Sequence, residues 1–252
     1  MNKSAAVRGA LAITGAVCTL IAMTGCRSHS GGSGGRAGGL PTTSAGARAD
    51  GSAKGVGAGF SANGLQKALL TEFGEAKVVY GPRAGAMSSL APTGSADTAG
   101  VEVKTDKPQC LRLTQGIDAD TAGSAPAALV SLADIPDVTV AEVLVAPDSG
   151  AADKIMAGGP PADCSSYTTT VDGYVTEYHL KNLDLPDVGD EARGYEIVGR
   201  SKKYGTTTSN FVIVFRDGGW MGSLSVTGPK ADRATFDKVV QAAHAKAKSE
   251  LG

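Results

Sequence analysis

Histidine is scarce in this 252-residue chain: His29, His179 and His244 are the only three. That scarcity excludes a good deal of chemistry. There is no H-E-x-x-H pattern and no cluster of Cys and His, so the common zinc sites are ruled out. His29 falls in a Gly- and Ser-rich stretch, which leaves His179 and His244 for acid–base work. No G-x-S-x-G elbow is present to expose a serine to either of them. His179 stands beside Glu177 and Lys181 on a polar strand face, and His244 flanks an apolar helical stripe, where a packing role is the ordinary expectation. Gly-rich phosphate loops are also missing, because GGSGG at 31–35 is not followed by a strand-to-helix unit. The acidic run DLPDVGDEA places Asp184, Asp187, Asp190 and Glu191 within eight residues but lacks EF-hand spacing, and it reads as a solvated turn. No spacing singles out a carboxylate pair for glycoside hydrolysis. The sequence assigns no catalytic residue, no metal and no cofactor.

A basic excess is lacking too. The chain holds 24 Lys and Arg against 25 Asp and Glu, and residues 60–252 alone hold 18 against 24, a net of −6. Nucleic acid demands a basic footprint, so it is not an expected partner. The small basic group Arg200, Lys202 and Lys203 in GRSKKYG reads as a turn between strands. Long apolar runs are absent apart from one: LAITGAVCTLIAM, residues 11–23. Even that run is short for a spanning helix, which needs roughly 20 apolar residues.

What is present begins with that run. MNKSAAVRGA ahead of it carries Lys3 and Arg8 and no acid, and Thr24 and Gly25 follow it as small residues before Cys26. A charged start, a short apolar core and a small-residue exit describe a signal peptide over residues 1–25. MTGC resembles the bacterial lipobox, with Met23 where Leu is commonest. The resemblance implies cleavage before Cys26 and lipidation of its thiol, and two acyl chains give stable membrane attachment. Cys18 would leave with the signal peptide.

Residues 27–59 are dominated by Gly, Ser and Ala with almost nothing to bury, which predicts a flexible linker. Its 33 residues would span about 30–35 Å on average, and about 110 Å fully stretched. Arg27, Arg36, Arg48 and Lys54 against Asp50 make it basic. About 193 residues remain, enough for one domain over 60–252 with a proper core. Two cysteines survive in it, Cys110 and Cys164, and an even pair in an exported chain reads as a structural disulfide.

Within the domain, Ser61 caps a predicted helix over 61–73 with Leu65, Leu69, Leu70 and Phe73 on one face. KVVY at 77–80, VTVAEVLVA at 138–146 and the alternating YVTEYHLKNL at 174–183 predict strands, and AADKIM at 151–156 a short helix. FVIVFRDGGWMGSLSV predicts a hairpin turning at Asp217-Gly218-Gly219, with FVIVF central and covered on both faces. Phe236, Val239, Val240, Ala243, Ala247 and Leu251 form a stripe at helical spacing. These elements predict an α+β fold, an antiparallel sheet flanked by helices.

The order lipobox, Gly-rich tether, helix, Pro108-x-Cys110, Cys164, Leu185-Pro186-x-x-Gly189-Asp190-Glu191-Ala192 and FVIVFRDGGW before a terminal helix resembles one family. It is that of actinobacterial lipoproteins related to the extracellular sensor domain of PknH-like serine/threonine kinases, and the resemblance covers residues 60–252. It implies an antiparallel sheet flanked by helices, with a groove for an unidentified ligand. The kinase relatives usually carry two disulfides, and this chain has cysteines for one. The function expected first is a non-enzymatic ligand-binding or sensor-like module, lipid-anchored on the extracytoplasmic face of the cell membrane. Its partner would be a small molecule, a lipid or an envelope protein. The alternative is an accessory protein that binds another envelope protein. A cell-envelope hydrolase comes third and would need a close acid pair, or His179 grouped with Ser and Asp.

Overall fold

In the computed structural model, residues 59–90, 103–134 and 138–252 are described. The strands grow outward from the hairpin. β9 (Thr207–Asp217) and β10 (Trp220–Gly228) are antiparallel, with Asp217 opposite Trp220 and Gly218 at φ 57° in the turn, a conformation glycine adopts without penalty. Phe211 to Phe215 are all buried, because side chains from both layers of the domain cover this strand. Around the hairpin lie β1 (Glu72–Phe73), β2 (Ala76–Ala86), β3 (Val103–Thr105), β4 (Pro126–Asp134), β5 (Val138–Val145), β6 (Ser166–Val171), β7 (Tyr174–Asn182) and β8 (Glu191–Ser201). All ten strands join one sheet in the order β1-β2-β4-β5-β10-β9-β8-β7-β6-β3, and every neighbouring pair is antiparallel.

Two helices cover one face. α1 (Ala62–Ala68) is capped by Ser61, whose hydroxyl accepts the Gly64 N–H at 3.1 Å. It is shorter than the periodicity of 61–73 predicts. Leu69 is already extended, and Glu72–Phe73 form β1 instead. Leu69 and Leu70 are nevertheless buried, so their apolar spacing reports burial after the helix has ended. The long helix near the C-terminus, α5 below in chain order, runs over Arg233–Leu251, and Asp232 caps it through the Thr235 N–H at 2.7 Å. Its stripe Phe236, Val239, Val240, Ala243 and Ala247 is buried against Phe211, Ile213, Phe215, Trp220, Leu224 and Val226 from the hairpin.

The other face is covered by α2 (Met87–Leu90), α3 (Ala119–Ala122), α4 (Ser149–Ala157) and a 3-10 helix over Pro108–Gln115. Met87, Ile117, Ile155 and Met156 pack there on Val145, Val214 and Met221. Cys110, Leu113 and Cys164 pack on Tyr167, Tyr195, Ile197 and Val212. The result is a helix–sheet–helix arrangement in which the strand edges and hairpin turns gather at the two ends of the sheet.

Candidate functional site

At one end of the sheet the β1–β2 turn, the ends of β4 and β5 and the loop leading into α5 surround an open cleft of about 710 Å³. Val140 and Ala76 are buried at its base, with Phe73 and Val138 half-buried beside them. Glu75, Asp134, Asp232 and Lys230 are exposed around it. A smaller cleft of about 320 Å³ lies across the same loop and shares Ala231 and Asp232 with the first. There Lys181 contacts Glu196 at 2.6 Å, Ser209 donates to Glu196 at 3.2 Å, and Leu183, Phe211 and Arg233 complete the lining. Arg233 also holds Asp237 at 2.8 Å and reaches the Asp184 carbonyl, which fixes the start of α5 between the clefts. Neither cleft contains a His or Cys, and the Glu196 carboxylate that accepts from Ser209 is also held by Lys181.

The residues singled out in the sequence fall elsewhere. A disulfide joins Cys110 to Cys164, and both are buried under the 3-10 layer. Tyr195 steadies the same layer by donating its hydroxyl to the Leu113 carbonyl; burial holds that phenol up to about 12. Cys26 lies outside the described residues. His179 is exposed on β7. His244 is half-buried on α5, edge-on to Phe215, tilted over Trp220, and 2.7 Å from Asp217. Its ring packs as expected, with the addition of an acidic partner that the sequence does not reveal. Asp190 uses its carboxylate to accept the Gly218 N–H at 2.8 Å, so part of the acidic run is a built turn that braces the hairpin. Among the described residues no group of three or more His, Cys, Asp or Glu is placed to hold a metal ion.

One interior residue escaped sequence reasoning. Glu142 sits in the middle of β5 on the α1 and α5 side, 1% exposed, between Val140 and Leu144 of the core. Its Oε2 accepts the Leu70 N–H at 2.7 Å, and its Oε1 has no hydrogen-bond partner. Burial pushes this carboxyl up to about 7, while the Leu70 N–H and the charge of Lys246 pull it down. The only signal in VTVAEVLVA was an acid inside an otherwise apolar strand.

No protein-family model matches the chain, and none of the curated proteins matches it. Among solved structures, the extracellular domain of PknH from Mycobacterium tuberculosis is similar over 75% of this chain and 97% of its own, with 10% identity and a TM-score of 0.48. An uncharacterized protein from Mycobacterium smegmatis, the ortholog of Rv0999, is similar over 68% of this chain and 90% of its own, with 15% identity and a TM-score of 0.41. Likeness at this distance brings no function with it.

Proposed function

We propose that the chain is a non-enzymatic binding module of the cell envelope, anchored through lipid on Cys26 and held by residues 26–59 outside the cytoplasmic membrane. Its domain over 60–252 takes an amphipathic small molecule into the cleft beside α5. The observation that carries this reading is the lining of that cleft. Apolar Ala76 and Val140 at the base offer burial, while Glu75, Asp134, Asp232 and Lys230 around it offer hydrogen bonds and charge. A few convergent polar groups over an apolar base is the usual composition of a ligand site. With three carboxylates and one ammonium there, the favoured ligand carries hydrogen-bond donors or a positive charge on its polar side. The basic linker and the disulfide agree with an exported, membrane-proximal chain.

Native mass spectrometry on the secreted mature chain carrying Cys26→Ser tests the cleft. The expected result is a bound mass that survives purification and is lost in Thr235→Trp, whose indole would fill the cleft from the first turn of α5. A bare protein mass, or a bound mass indifferent to Thr235→Trp, would refute the cleft as the ligand site.

A further inference from the structure

The β6–β7 turn and the β8–β9 turn reach the same end of the sheet, where the Lys202 N–H meets the Val175 carbonyl at 3.4 Å. Five large apolar or aromatic side chains are exposed among the described residues, and three of them are at this tip: Tyr174 and Val175 at the start of β7, and Tyr204 in the β8–β9 turn. A single exposed apolar residue needs no explanation, but a cluster at a protruding tip does. Lys203 holds its ammonium 3.3 Å from the centre of the Tyr174 ring and 5.2 Å from that of Tyr204, and the two rings are 5.8 Å apart. Arg200 and Lys202 are exposed beside it. The acids nearby are Asp172 in the turn and Glu177, which Lys202 holds at 2.6 Å. The tip is therefore slightly positive on a domain whose net charge is −6.

We infer that this tip docks on the anionic surface of the membrane to which the chain is tethered. The inference rests on the anchored reading proposed above. Tyrosine and lysine together suit a headgroup layer, because their apolar bodies enter it while the hydroxyl and ammonium stay wet. The acidic body of the domain is repelled by the same surface, so only the tip can face it. The contact need not be strong. A 33-residue linker keeps the domain within reach of the bilayer, and tethering of this kind supplies an effective concentration of about a millimolar. Docking by the tip fixes which end of the sheet faces the lipid.

The test imposes the tether chemically, so that it does not depend on lipidation in cells. The mature chain starting at Cys26 is coupled through that thiol to a maleimide lipid in nanodiscs of phosphatidylglycerol and phosphatidylcholine that contain a headgroup spin label. Cys110 and Cys164 are already joined, which leaves Cys26 as the thiol to couple. The expected result is paramagnetic broadening of the amides of 172–175 and 202–206. At about fivefold per charge near the surface, K202E/K203E should reduce that broadening by at least about tenfold, and phosphatidylcholine alone should also weaken it. Tyr174→Ser with Tyr204→Ser is a second variant that leaves the charges alone and should weaken the contact too. Broadening centred elsewhere, absent altogether, or unchanged in variants that melt like the parent would overturn the proposal. Failure of the anchor itself would show separately, as loss of the unmodified protein from cell membranes.

Discussion

A carboxyl group in the centre of a core has to be explained by what it replaces. Glu142 supplies the acceptor for Leu70, whose N–H is left over where α1 ends and β1 has not yet begun. The unfolded chain releases this proton near the ordinary value of 4.5 and the folded chain near 7. The folded state therefore binds the proton more tightly. Its contribution to stability is fully present below pH 4.5, declines as pH rises from 4.5 to 7, and is gone above that. The shift corresponds to a loss on the order of 3 kcal/mol across this window. Glu142→Gln keeps an acceptor for Leu70 and has no proton to release, so it should remove this slope. Urea unfolding of both proteins at pH 5 and pH 8 checks it; an equal difference between them at the two pH values would contradict the account. Gly189 makes a second claim at this scale. It stands at φ 66°, and a Cβ there would lie 2.2 Å from the Arg216 carbonyl oxygen. Gly189→Ala should cost about 2 kcal/mol or more, seen as a lower thermal midpoint. An unchanged midpoint would mean that the turn braced by Asp190 is free to move.

Among the elements, the disulfide ties together two short 3-10 helices that are also joined by Gln109, which donates to the Asp163 carboxylate. Cys110 belongs to Pro108–Gln115 and Cys164 to Ala162–Ser165, 54 residues apart in sequence. Closing a loop of that size should contribute about 4 kcal/mol, and paired Cys110→Ala and Cys164→Ala substitutions should remove roughly that amount in denaturant unfolding. How much of this could be read from sequence depends on how each element announces itself. The β9–β10 hairpin combines an apolar run with a Gly-Gly turn, and the stripe of α5 repeats at helical spacing, so both were legible. β4 opens with Pro and holds three Ala and a single β-branched residue, Val130, so its strand preference is weak, and it becomes a strand because β2 and β5 pair with it on either side. β8 contains Gly194 and Gly199 and is hidden in the same way; each glycine leaves room for a neighbouring side chain, Leu185 and Tyr178 respectively. The early end of α1 was missed because apolar spacing does not distinguish a helix from buried residues just beyond it.

For the whole molecule, the candidate cleft was not legible at all. Its lining comes from the β1–β2 turn, β4, β5 and the loop before α5, segments that sequence distance separates and only the strand order of the sheet brings together. The same order places the acidic body, the clefts and the Tyr174–Lys203–Tyr204 tip on one domain behind a basic linker. No helix among the described residues is long and apolar enough to cross a membrane. The proposed attachment runs through Cys26. Two acyl chains hold a protein on a bilayer where a single chain holds it marginally, so removing the acceptor thiol should be decisive. The measurement that tests the account most directly is fractionation of cells expressing the full chain or Cys26→Ser, fed an alkyne-tagged fatty acid. The account predicts a tagged, membrane-bound parent and an untagged variant released into the soluble fraction. A variant that stays in the membrane, or a parent that carries no tag, would contradict it.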